Sequence, residues 1–223
     1  MKKILKFMKL LSISLLFVYL STFATSLLAL STDWVINDKS KVRLISAIST
    51  SNKSDEVFLG LEYQLEPGWK TYWKSPGGGG FPQNIDWKNS TNINDLQIDW
   101  PTPKNFQILG LTSLGYEDRV IFPLRVKLIK KNVLTEINLK INYLVCKDVC
   151  IPGNANLYLE LLPGEGKYTE FFYEIEKIKS SLPFKDINLS SINNFSSKVV
   201  QSSNKVQIKI RIYKGLFYTR NCK

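Results

Sequence analysis

Hydrophobic and polar positions alternate along much of the chain. In "VFLGLEYQL", Val57, Leu59, Leu61, Tyr63 and Leu65 fall on one face, with Glu62 and Gln64 on the other. "RVIFPLRVKL" groups Val120, Phe122, Leu124, Val126 and Leu128 in the same way, and "INLKINYLV" groups Ile137, Leu139, Ile141, Tyr143 and Val145. "NLYLEL" repeats the pattern with Leu157, Leu159 and Leu161. A period of two is that of a strand with one buried and one wet face. Turn-forming stretches, "EPGWK", "SPGGGGFP" and "WPTPKN", punctuate these runs. No long helical pattern intervenes between about Lys41 and Leu162, so the expected fold is all-β, an antiparallel sandwich rather than a parallel sheet.

The pattern changes after the sandwich. In "TEFFYEIEKIKSSLP", Phe171, Phe172, Ile175 and Ile178 recur at helical spacing, Thr169 is placed to cap, and Pro183 stops the run. A short helix is therefore expected within residues 166–183. Residues 184–204 are rich in Ser and Asn and read as a linker. "KVQIKIRIYK" then alternates again, with Val206, Ile208, Ile210 and Ile212 together. A lone strand cannot bury such a face, so residues 205–223 are expected to be a truncated C-terminal β segment, the start of an incomplete second β region.

The N-terminus has a different character. "MKKILKFMK" carries Lys2, Lys3, Lys6 and Lys9 and no acid; an uncharged apolar run follows from Leu10 to Leu30 and closes on small residues. This is the layout of a secretory signal, with cleavage after Ser26 or Ala29, and residues 1–29 form that segment. The run is long for a signal core, so an uncleaved membrane anchor is the rival reading. Both place the remainder outside the cytoplasm.

The formal charge of +11 shrinks accordingly, because four lysines belong to the leader; 26 bases against 19 acids remain. These are scattered, with no basic stripe interleaved with aromatics, so nucleic acid is not expected as a partner. The chain contains no histidine, and both methionines, Met1 and Met8, lie in the leader. His-based triads and the usual zinc and haem ligands are excluded, as is a thioether for copper, and no cofactor is expected. The run Gly77 to Gly80 lacks the Gly-Lys-Ser/Thr and the helix of a phosphate loop, and reads as an inter-strand loop. Trp69, Trp73, Trp87 and Trp100 read as core or core-rim residues rather than a carbohydrate platform.

Two of the three cysteines fall in "NYLVCKDVCIP". Three cysteines without histidine cannot complete a structural zinc site, and the haem motif C-x-x-C-H is absent. An exported protein can hold a disulfide. A bridge from Cys146 to Cys150 would close a loop of only five residues, worth about 2 kcal/mol by chain entropy, against about 4.7 for a hundred-residue loop. Spacing alone leaves a structural staple and a redox pair both open. Lys147 would stabilise a thiolate, Asp148 would oppose it, and Pro152 would restrain the loop. By strand alternation Cys146 faces away from Tyr143 and Val145, on the outer face of its sheet.

"PGWKTYWKSPG", "WPTPKNFQILGLTSLGYEDRVIFPLRVKL" and "INYLVCKDVCIPG" resemble the periplasmic N-terminal domain of DsbD-type membrane protein-disulfide reductases, including the ScsB-like branch, from about Trp34 to Leu162. The resemblance implies an immunoglobulin-like sandwich with one redox pair, Cys146 and Cys150. It implies that Cys150 forms the mixed disulfide with partners and that Cys146 resolves it. Tyr72 matches an aromatic near the redox site, and Asn105 to Leu114, with Leu109 in its middle, matches a cap that shields the pair. The implied partners are thioredoxin-like domains, one as electron donor and others as periplasmic acceptors, such as disulfide isomerases or cytochrome c maturation factors. The cysteine spacing is shorter here than in the best-known members, and "NFQILG" has none of their cap acids. The sequence has no membrane helices and no thioredoxin-like domain after the sandwich. A chain of this kind is a fragment of a longer reductase, or a module served in trans by a membrane electron-transfer subunit. The other class of function is a non-catalytic exported binding module with a structural disulfide.

Overall fold

A computed structural model of the chain describes residues 30–51, 54–108, 110–182, 195–202 and 205–212. Residues 1–29, read above as a signal or anchor, Leu109 and Cys222 lie outside the described residues. Eleven strands precede the helix: β1 (Val35–Asn37), β2 (Ser40–Ser46), β3 (Glu56–Leu65), β4 (Lys70–Gly77), β5 (Asn84–Asp86), β6 (Ile93–Ile98), β7 (Lys104–Ile108), β8 (Leu111–Glu117), β9 (Arg119–Leu128), β10 (Thr135–Cys146) and β11 (Cys150–Leu161). One sheet has the order β1-β2-β3-β9-β6; the other runs β11-β10-β4-β8-β7, with β5 also paired to β10. All of these pairings are antiparallel, so the described fold is the expected all-β, immunoglobulin-like sandwich.

The alternating stripes meet between the sheets. Leu59, Leu61, Tyr63, Phe122, Leu124, Ile137, Leu139, Ile141 and Tyr143 form one buried cluster. Phe122 meets Tyr63 and Tyr116 edge-to-face at centroid distances of 5.5 and 5.0 Å, a preferred aromatic geometry. Trp69, Trp73, Trp87 and Trp100 pack against this cluster from its rim.

The opposite face of β3 departs from the sequence reading. Glu62 falls on the face expected to be wet, yet it is 2% exposed. Helix α1 (Phe172–Ser180) covers that face, and Ile175 and Phe171 pack onto Ile45, Ala47 and Ile121. The buried carboxylate is matched by charge: Arg43 Nε donates to it at 2.7 Å and Arg119 Nε at 2.6 Å. Arg119 also donates to Glu174 on the helix. Period-2 alternation registers which residues share a face, not what covers it. The helix cap shifts as well: Phe171, not Thr169, occupies the N-cap position. Thr169 acts one step earlier, its Oγ1 accepting from Phe171 N at 3.2 Å and donating to Ser46 O.

The described residues up to Leu182 form one compact unit; a separate unit holds β12 (Phe195–Ser202) and β13 (Lys205–Ile212), an antiparallel hairpin. Strand β12 occupies part of the stretch read as a linker. Its Ser-rich composition masks it, and pairing with "KVQIKIRI" supplies what a lone strand lacks.

Candidate functional site: a cross-strand cysteine pair

The two longest strands, β10 and β11, are joined by the three residues Lys147, Asp148 and Val149, closed by Lys147 N donating to Val149 O at 3.0 Å. Cys146 and Cys150 are direct cross-strand partners flanking this turn and form a disulfide, with Cα atoms 4.1 Å apart. So close a spacing marks a non-hydrogen-bonded pair. Ladder alternation then makes Leu144 and Pro152 another such pair, which turns the proline nitrogen toward the open edge of β11. Pro152 therefore sits in an edge strand that tolerates it, rather than in the turn.

The two sulfur-bearing residues differ sharply in environment. Cys146 is 0% exposed, whereas Cys150 is open to solvent. Cys146 does face away from the main core, as alternation requires, but a second apolar cluster covers it. That cluster consists of Tyr72, Ile108, Leu144 and Cys146, with Phe106 packed on its side. Phe106 and Ile108 come from β7, so the stretch matched to a cap, Asn105 to Leu114, is part of a β-hairpin, β7–β8, paired from Lys104↔Gly115 to Ile108↔Leu111. Its turn contains Gly110 at φ 77°, a left-handed conformation that suits glycine. Leu109 lies outside the described residues.

Tyr72 connects the buried and exposed halves of the site. Its ring is buried beside Cys146, and its hydroxyl lies 3.9 Å from Cys150 Sγ. Burial pushes the phenol above its ordinary value, so it stays protonated. The glycine run holds this ring from outside. Gly80 has φ 84°, and a Cβ there would lie 2.1 Å from Tyr72 Cζ. Gly77 pairs with Ser113, and Gly78 N donates to Thr112 O at 2.9 Å, which ties the run to β8. The run is thus an inter-strand connection, as read, but one whose side-chain-free surface makes room for Tyr72.

Two lysines border the turn. Lys147 lies over Gly68: a Cβ at Gly68 would be 3.2 Å from its ammonium nitrogen. Lys70, the register partner of Cys146 on β4, donates from Nζ to Gly68 O at 2.8 Å and sits 5.2 Å from the Phe106 ring centre. Val149, beside Cys150, exposes 57% of its surface. Of the residues singled out by sequence, Cys146, Cys150, Tyr72 and Lys147 converge here, and Pro152 stands one pair behind. Sequence reasoning did not tie Lys70 or Gly80 to the site, and it reached Phe106 and Ile108 only as part of the Asn105–Leu114 cap.

The family described as "Thiol:disulfide interchange protein DsbD, N-terminal" matches residues 41–162, more than half of the chain. Among solved structures, the N-terminal periplasmic domain of ScsB from Proteus mirabilis is similar, with 29% sequence identity and a TM-score of 0.60 over 76% of this chain. The match spans 65% of that chain, so part of the ScsB domain has no counterpart in it. The N-terminal domain of DsbD from Neisseria meningitidis, in its reduced form, matches at 10% identity and a TM-score of 0.32, over 58% of this chain and 90% of that one. No curated protein matches. With the fold, the cysteine pair and the matched span in agreement, the chain belongs to the family of DsbD N-terminal domains.

Proposed function

We propose that this domain is an exported, periplasmic thiol–disulfide exchange module that passes reducing equivalents through Cys146 and Cys150 to thioredoxin-like partners. The observation that carries the reading is the asymmetry of the pair. One sulfur is sealed under apolar side chains and the other is open to solvent beside a phenol.

The chemistry follows from that asymmetry. A donor thiolate attacks Cys150 Sγ, the accessible sulfur. The Cys146–Cys150 bond breaks, its electron pair stays on Cys146, and a donor–Cys150 mixed disulfide forms. The donor's second thiol loses its proton and attacks its own mixed-disulfide sulfur, releasing Cys150 as the thiolate. The donor is now a disulfide and the domain a dithiol, two electrons and two protons richer. The apolar lid favours Cys146 as the neutral thiol, whereas solvent and the phenol favour Cys150 as thiolate. Cys150 is therefore the nucleophile toward an acceptor disulfide. Cys146 then closes the ring and frees the reduced acceptor. A membrane subunit acting in trans would be the source of electrons.

Cys146→Ser tests the assignment. It leaves Cys150 exposed and without its resolving thiol, so mixed disulfides with thioredoxin-like proteins should accumulate and dissolve on reduction. Cys150→Ser should accumulate none. A reduction potential far below about −300 mV together with no adducts would assign the pair to a structural staple in a binding module.

A further inference from the structure

The pole of the sandwich opposite the cysteines carries an exposed feature that the redox reading does not use. Strands β9 and β10 are joined there by "IKKNVL", residues 129–134. Ile129, Val133 and Leu134 expose 62%, 40% and 43% of their surface, and Lys130 and Lys131 stand exposed between them. From Lys127 to Leu134 the strip has three lysines and no acid.

The strip is firmly placed. Asn132 N donates to Ser51 O at 3.0 Å, and its Oδ1 accepts from Gly164 N at 2.7 Å. Asn92 accepts from Lys130 N at 2.8 Å and donates to Lys130 O at 2.9 Å. Three apolar side chains are thus held outward by a braced turn. Ser51 in turn donates to Leu162 O, whose side chain is also exposed. Tyr168, bridged to Ile48 at this pole, exposes its ring as well.

The N-terminal entry to the fold lies at the same pole. Leu30 O accepts from Ser46 N at 2.9 Å, at the end of β2 from which residues 47–51 lead to Asn132. Residues 1–29, with their four lysines and long apolar run, join the sandwich at this point. Strands β10 and β11 separate the pole from Cys150 by about 35 Å at roughly 3.4 Å per residue.

We infer that this pole docks onto an anionic lipid bilayer, with the 129–134 turn inserting its aliphatic side chains between headgroups and Lys130 and Lys131 contacting lipid phosphate. Aliphatic residues interleaved with lysines suit an apolar–anionic boundary, and an exposed tyrosine suits the headgroup level. A second copy of this sandwich would present the same lysines to one another, which disfavours a self-contact. Docking in this sense points Cys150 away from the lipid, open to partners. The inference does not depend on the cysteines being redox-active.

Hydrogen exchange of the full chain tests it, on vesicles of phosphatidylethanolamine with phosphatidylglycerol and on vesicles of phosphatidylcholine alone. On the anionic vesicles, residues 129–134 should exchange about tenfold more slowly than in an Ile129→Ser/Val133→Asn/Leu134→Ser variant, while residues 147–150 are unaffected. Lys130→Glu/Lys131→Glu, which keeps the apolar side chains, should abolish the preference for anionic vesicles. Protection confined to residues 1–29, with the turn exchanging as in the variant, overturns the inference. So does a charge-reversed turn that keeps its anionic preference. Protection that arises without vesicles and grows with protein concentration assigns the face to a second copy instead and also overturns it.

Discussion

The Tyr72 hydroxyl, 3.9 Å from Cys150 Sγ, becomes most relevant once the disulfide opens. A protonated phenol can donate to a Cys150 thiolate, and a donor to the charged form lowers a thiol pKa. In Tyr72→Phe the buried ring remains and only that donor is lost. The Cys150 thiol should then titrate higher, by roughly half a unit to one unit, because a hydrogen bond to an ionised group is worth about 1.5–3 kcal/mol at good geometry and this contact is long. The pH dependence of iodoacetamide alkylation of the reduced protein measures it; an unchanged profile removes Tyr72 from thiolate stabilisation. Gly80 meets the same ring from the other side. Gly80→Ala brings a Cβ within 2.1 Å of Tyr72 Cζ at a φ of 84°. Overpacking and backbone strain each cost about 1–3 kcal/mol, so urea unfolding should register a loss of that order or more. The displaced phenol should also give this variant the raised thiol titration of Tyr72→Phe. Tyr72 was legible in the sequence only through the resemblance, and the role of Gly80 not at all, because a glycine run signals only the absence of side chains. What that absence accommodates is decided by a tyrosine eight positions earlier, across a turn.

At the scale of elements, the long strands were legible and their coverings were not. The stripes of β3, β9, β10 and β11 recur in the core as read, because an alternating pattern of ten or so residues has one solution when one face must be dry. The short strands β5 and β7 carry too few residues to alternate visibly. Their pairing is imposed by the neighbours, which is why the strands of the lid over Cys146 left no pattern in the sequence. Helix α1 was legible as a helix from its own spacing, but its seat over Glu62 was not. That seat makes a pH-dependent prediction. The Arg119 hydrogen bond, followed by the charges of Arg119, Arg43 and Lys177, holds the Glu174 carboxyl below its usual value against a smaller opposing effect of burial. A folded pKa below the unfolded one contributes stability that is complete above the unfolded value, near 4.5, and is lost as pH falls through the depressed folded value. Protection of amides 172–180 against hydrogen exchange should therefore weaken below about pH 4 before the strands open. Glu174→Gln should weaken that protection at neutral pH and flatten its dependence on acid. Strands and helix opening together at every pH would show that the helix is not a separately docked element.

For the whole molecule, the question is whether the sandwich needs its disulfide. A redox module must remain folded as a dithiol, whereas a stapled domain need not. The core unites both sheets through more than a dozen fully buried aliphatic and aromatic side chains, and the cysteines lie outside it, Cys146 in a small cluster of its own and Cys150 exposed. The bridge joins residues that the β10–β11 ladder already holds as partners over its full length. Opening it releases a loop of five residues, worth about 2 kcal/mol of chain entropy. For a domain of this size 1 kcal/mol corresponds to roughly 2–4 °C, so reduction should lower the melting temperature by about 4–8 °C and leave the fold intact. A thermal melt by circular dichroism, with and without dithiothreitol, measures the difference, and Cys146→Ala/Cys150→Ala should melt close to the reduced protein. Cys146→Ala alone removes the same sulfur from under Tyr72 and Ile108 as the double variant and should melt with it. A reduced form that unfolds at room temperature would show that the disulfide is part of what holds the sheets together. An exchange cycle that passes through the dithiol could not then operate on this scaffold.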